Sequence, residues 1–95
     1  MTVDDYVVDV LLRDLVGHDH QPTSFLIYLW LTFEASRLGH ERVYASYQTV
    51  ADAIGISKSA AQSGVRWLLR RKLLEATKAS VTAVPAYRVL RPWRR

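Results

Sequence analysis

The chain contains no cysteine, one methionine, three prolines and four glycines among its 95 residues. Without cysteine there is no disulfide, no zinc ribbon and no thiol nucleophile, a composition that suits a reducing compartment. The longest apolar stretch, Phe25 to Phe33, is closed by Glu34. It falls well short of the ~20 residues that a membrane span requires. The first residues include Asp4 and Asp5 instead of a basic leader, so no secretory signal is expected and the expected location is cytoplasmic. There is no Gly-rich phosphate loop, and no pair of carboxylates beside a histidine in a plausible pocket. Glu34, His40 and Glu41, near a helix end, read as solvated surface. No catalytic residue, metal ligand or cofactor is therefore expected. Hydrophobic residues make up 49% of the chain, enough for one modest core and above the range of disordered sequences.

What is present is unevenly distributed. Residues 1–20 carry one arginine against five aspartates, net −4, and residues 21–55 are close to neutral at −1. Residues 56–95 carry ten lysines and arginines against Glu75 alone, net +9. A pole of that kind attracts a polyanion, of which nucleic acid is the commonest, or alternatively an acidic protein.

Apolar periodicity divides the chain into short elements. Thr2 reads as the cap of a first helix through Val3, Tyr6, Val7, Val10, Leu11 and Leu15, ended by Gly17. Val8, Leu12 and Val16 give it a second apolar face, available to a second copy of the chain. His18 and His20 flank Asp19 in a breaker-rich connector, which is read as a solvated loop in preference to a metal site. Thr23 or Ser24 is expected to cap a second helix at about 23–39, ended by Gly39. In that helix Leu26, Leu29, Trp30 and Phe33 are spaced to bury together, and Ile27, Leu31 and Leu38 make its surface apolar nearly all round. His40 to Ala45 form a link with Tyr44 packed. Ser46 caps a third helix at 46–54, and Gly55 terminates it. Ser57 opens a fourth at 57–72. Two alternating runs, Leu73 to Ala79 and Pro85 to Leu90, form a β-hairpin, and the tail Arg91 to Arg95 is expected to be partly flexible.

Two helices joined by a short glycine-containing turn make a helix-turn-helix unit. Here the turn is Ile54-Gly55-Ile56-Ser57. Val50, Ala51 and Ile54 face Ala61, Val65 and Leu68 across it. The opposite side of the second helix presents Lys58, Ser59, Gln62, Ser63 and Arg66. These are side chains suited to base edges and phosphates. Ala60 and Gly64 are expected to keep that surface low for close approach to a groove. Arg70 and Arg71, two turns on, suit phosphates better than bases.

The stretch from Ser46 to Glu75 resembles prokaryotic winged helix-turn-helix domains. It has a Ser-rich start, an Ala-x-x-x-Gly turn, a Ser-capped helix and a Leu-Leu pair opening the hairpin. With its flanking elements the resemblance covers about residues 23–91. It implies a mainly α fold with a three-helix core and a small hairpin wing. Residues 1–20 would then be an extra helix usable for dimerisation, 21–91 the domain and 92–95 a basic tail. It further implies that Ser57, Lys58, Ser59, Gln62, Ser63 and Arg66 read a major groove. Lys78, Ser80 and Thr82 of the wing, together with Arg88 on the returning strand, would lie against the DNA backbone. The chain departs from the family at Lys72, where glycine is common, and in a wing tip without glycine.

The expected function is sequence-specific binding of double-stranded DNA by a transcriptional regulator acting as a homodimer, with no membrane partner and an unidentified effector. An accessory protein of plasmid or phage replication or partition would use the same module. A winged-helix module that binds an acidic protein is the alternative from another class.

Overall fold

The computed structural model describes residues 3–39 and 41–93. Its local architecture follows from four helix-end residues. The Ser46 hydroxyl oxygen accepts the Thr49 N–H at 3.1 Å and so starts α3, Tyr47–Ile54. Gly55, at φ 85°, ends it with its own N–H on the Ala51 carbonyl. Ser57 repeats the capping contact, accepting the Ala60 N–H at 3.0 Å, and starts α4, Lys58–Arg70. Gly39, at φ 67°, closes α2, Pro22–Leu38.

The start of α2 differs from expectation. Neither Thr23 nor Ser24 is the cap; Gln21 holds that position and Pro22 supplies a first residue whose φ is already helical. Ser24 is instead fully buried, and its hydroxyl donates to the Gly64 carbonyl in the middle of α4 at 3.1 Å. Gly64 is buried with it. A Cβ there would stand 2.5 Å from Cδ1 of Ile27, so the glycine lets α2 and α4 cross closely and does not lower an exposed face. The buried stripe of α2 is Phe25, Ile27, Tyr28 and Leu31. Leu26 and Phe33, expected in the core, are exposed, while Leu29 and Trp30 are partly buried against it.

The first helix, α1, covers residues 5–18, and its stretches Val7–Leu11 and Arg13–His18 are π-type. The Leu12 N–H bonds back to Val7 and the Asp19 N–H to Asp14, five residues away in each case. Such winding is usually confined to a single turn. Here it accompanies an apolar stripe that recurs every four residues, Val7, Leu11 and Leu15, all buried in the common core. Gly17 lies inside this helix and does not end it. Thr2, expected as its cap, lies outside the described residues.

The link after α2 is a strand, which the sequence reading missed. β1, Arg42–Tyr44, joins β2, Leu74–Thr77, and β3, Ala86–Val89, in an antiparallel sheet of order β1-β3-β2. Val43 pairs with Tyr87 and faces inward, while Tyr44, expected to be packed, is 72% exposed on the other face. The hairpin β2–β3 holds Leu74 opposite Val89 and Thr77 opposite Ala86. The chain is thus mainly helical with a small three-stranded sheet, and no helix among the described residues is long and apolar enough to cross a membrane.

The junction between α4 and β2 is made with a lysine in the left-handed region. Lys72 has φ 58°. Its N–H bonds to the Leu69 carbonyl, and the Leu73 N–H reaches the Leu68 carbonyl at 2.9 Å. That pair of bonds is a Schellman ending, in which glycine normally occupies the position of Lys72. Lysine therefore makes the same turn as glycine would, at a conformational cost.

The C-terminal segment folds back on the N-terminal one. The Trp93 ring stacks on Tyr6 at 4.5 Å between centroids, and its indole N–H donates to Asp4 at 3.1 Å. The Tyr28 hydroxyl donates to the Leu90 carbonyl at 2.9 Å. At Trp93 the tail is docked, contrary to the expected flexibility; Arg94 and Arg95 lie outside the described residues.

Candidate nucleic-acid interface

The two faces of α4 separate as its periodicity requires. Ala61, Val65 and Leu68 are fully buried against α2 and α3. Lys58, Ser59, Ser63 and Arg66 are exposed and Gln62 is half-buried. Positions i, i+1, i+4, i+5 and i+8 share one side of a helix, so these five side chains form a single polar strip. Ser57 stands at its head with its oxygen committed to the cap. Arg70 continues the exposed side and stacks its guanidinium 5.3 Å from the Trp67 ring centre.

The hairpin stands beside the start of this strip. Lys58, at the first turn of α4, and Lys78 and Thr82, in the loop after β2, line one cleft of about 570 Å³. Ser46, at the head of α3, lines it too. No acidic residue borders this cleft. The loop is held by the Lys78 ammonium donating to the Val81 carbonyl and by the Ala83 N–H donating to the Ser80 carbonyl. Ser80 is exposed in that loop and is not part of the cleft lining.

Two arginines expected against DNA are engaged elsewhere. The Arg71 guanidinium bonds to Asp19 and lies near Asp14. Asp19 also accepts the Trp67 indole N–H at 3.0 Å and an imidazole contact from His18 at 3.1 Å. Burial by itself would raise the Asp19 pKa. The hydrogen bonds from His18 and Trp67, with the charge and hydrogen bond of Arg71, outweigh it and hold the carboxyl below its ordinary value. Asp19 is therefore a buried latch between the N-terminal segment and α4, where the sequence suggested a solvated loop.

Arg88 projects from the outer face of the sheet. It bonds Glu41 and Glu75 at 3.1 Å each, and those carboxylates, Glu41 foremost, raise its pKa above the usual arginine value. With two carboxylates already on it, Arg88 contributes no unpaired positive charge. The unpaired cationic surface is thus narrower than the charge count suggests: from α4 through the hairpin, Lys58, Arg66, Arg70, Lys72 and Lys78 are exposed and make no ion pair among the described residues.

Sequence reasoning did not find Asp19, Trp67 or the cleft-lining Tyr47 as parts of this region. Their partners lie across the fold, and no local pattern announces them. Tyr87, on the cleft floor, has its hydroxyl pKa pushed up by burial and by the neighbouring Tyr47. Among the described residues no group of three or more His, Cys, Asp or Glu could hold a metal ion. No protein-family model, curated protein or solved structure matches the chain.

Proposed function

We propose that this chain is a winged helix-turn-helix domain that binds double-stranded DNA in a sequence-specific way, as a transcriptional regulator acting as a homodimer. The observation that carries the reading is the polar strip of α4. Lys58, Ser59, Gln62, Ser63 and Arg66 face outward, while Ala61, Val65 and Leu68 seat the helix in the core. A helix about 10–12 Å across fits the B-DNA major groove, and its N-terminal half carries the side chains that can pair with base edges. Lys78 and Thr82 of the wing lie beside that half, in position for the flanking backbone. Arg71 and Arg88 are left out of this interface because carboxylates already hold them. The exposed stripe Val8, Leu12 and Val16 on α1 supplies a surface for the second copy. Two copies on one duplex would place two α4 helices in successive major grooves about 34 Å apart.

The test is a comparison of affinities on selected and scrambled duplexes. Gln62→Ala and Arg66→Ala are expected to lose about 1–3 kcal/mol on the selected site and little on the scrambled one, as loss of a bidentate base contact requires. Lys78→Ala is expected to weaken both duplexes equally. Equal loss on both duplexes for Gln62→Ala and Arg66→Ala would remove the reading role of α4.

A further inference from the structure

The cleft between the start of α4 and the hairpin loop has a property that phosphate contact does not use. Its floor is apolar and aromatic, with Tyr47, Leu69 and Tyr87 among the lining residues. Its two charged residues are both cations, Lys58 and Lys78, and no carboxylate offsets them. Its volume, about 570 Å³, lies within the range of small-molecule sites. A sugar–phosphate strand would satisfy the lysines and leave the floor without a partner.

We propose that this cleft binds a small amphipathic anion, a carboxylate carried on one or two aromatic rings. The carboxylate meets Lys58 and Lys78, and the rings lie on Tyr47, Leu69 and Tyr87. Several features favour this class over others. A cation would face two ammonium groups with no acid in the lining. A simple inorganic anion would leave the apolar floor uncovered, and a neutral ring would leave both charges unanswered. One wall is the loop 78–85, held internally by the Lys78–Val81 and Ala83–Ser80 bonds and carrying Val81 almost fully exposed.

The regulatory consequence rests on the DNA-binding reading. Lys58 and Lys78 belong both to this cleft and to the proposed duplex interface, so the anion and the duplex compete for them. Binding of the anion lowers duplex affinity, and by reciprocity the duplex lowers affinity for the anion to the same degree. The cleft would then be the place where an effector acts.

The experiment titrates the isotopically labelled full chain with 2-naphthoate and follows backbone amides by NMR. The expected result is saturable one-to-one binding with shifts centred on Lys58, Lys78, Thr82 and Tyr87. The neutral analogue 2-naphthylmethanol should bind at least about tenfold more weakly. Lys58→Met and Lys78→Met should each weaken naphthoate severalfold while leaving the amide spectrum of α1 and α2 unchanged. Shifts spread over Val8, Leu12 and Leu26, equal binding of the neutral analogue, or no saturation would each overturn the proposal. A parallel titration with duplex DNA separates the two readings. Naphthoate binding without duplex binding removes the DNA function and leaves the cleft standing. Duplex binding without naphthoate binding removes the cleft ligand alone.

Discussion

At the scale of single residues, two side chains sit in environments that make their contributions measurable. Lys72 holds φ 58° at the end of α4, a conformation that costs a residue with a Cβ about 1–2 kcal/mol. Glycine relieves that cost but is freer in the unfolded chain, which returns part of the gain. Lys72→Gly is therefore expected to stabilise the fold by about 1 kcal/mol, seen as a rise in Tm of roughly 4–8 °C for a domain of this size. An unchanged or lower Tm would mean that the chain does not take the left-handed turn there.

Asp19 makes the opposite kind of contribution. Its carboxylate is held below the ordinary pKa of 3.8 by His18, Trp67 and Arg71 in spite of its burial. A group whose pKa is depressed by folding stabilises the folded state fully above its unfolded value, and that contribution disappears as pH falls below it. Asp19→Asn should thus be destabilised by about 1–3 kcal/mol at neutral pH. The gap to the wild-type chain should close as pH is lowered through about 4 and beneath. Thermal melts of both proteins across this range check the expectation, and a gap that persists at low pH would contradict it.

These two residues also show why some of the site was legible and some was not. The caps Ser46 and Ser57 and the terminators Gly39 and Gly55 act on atoms within a few positions of themselves, so the sequence carries their meaning locally. Asp19 acts on Trp67 and Arg71, 48 and 52 positions away, and nothing adjacent to it announces those partners. Gly64 suggested a low outer surface, yet its missing Cβ serves Ile27 and Ser24 of α2.

At the scale of elements, the same division separates α3 and α4 from β1. The two helices follow from their own amphipathic spacing and caps. β1 is three residues long, and its hydrogen-bonding groups are satisfied by β3, more than forty positions later. An isolated strand of that length has no periodicity to read, so the sequence alone suggests a link there and a packed Tyr44. α1 presents a different problem. Its two stripes, Val7–Leu11–Leu15 and Val8–Leu12–Val16, were both visible, but periodicity does not say which faces the core. The first is buried and the second is exposed.

That exposed stripe is where the proposed pairing can be tested without touching the core. Leu12→Glu places a charge in its middle, next to Val8 and Val16 at helical spacing. Sedimentation velocity is expected to show a dimer for the wild-type chain and a monomer for the variant. A wild-type monomer at concentrations where duplex binding saturates would contradict the pairing through α1.

At the scale of the whole molecule, the charge asymmetry of the sequence resolves into a smaller working surface. The acidic N-terminal segment is not remote from the basic part, because Asp19 and Asp14 reach Arg71 at the end of α4. Glu41 and Glu75 likewise occupy Arg88. Among the described residues, what remains exposed and without an ion pair from α4 through the hairpin is Lys58, Arg66, Arg70, Lys72 and Lys78. On the proposed DNA-binding reading, a surface of this size would neutralise a few phosphates per copy, far fewer than the +9 of residues 56–95 suggests.

The salt dependence of binding to duplex DNA counts those phosphates directly. Each one neutralised contributes about −0.9 to the slope of log affinity against log salt. Between about 50 and 200 mM salt, a linear fall with a slope of about −2 to −4 per copy is expected. The slope should become shallower by about one unit in Arg66→Ala or Lys78→Ala and stay unchanged in Arg88→Ala. No measurable duplex binding at the low-salt end, or a slope near zero, would contradict the claim that the outward strip of α4 meets DNA.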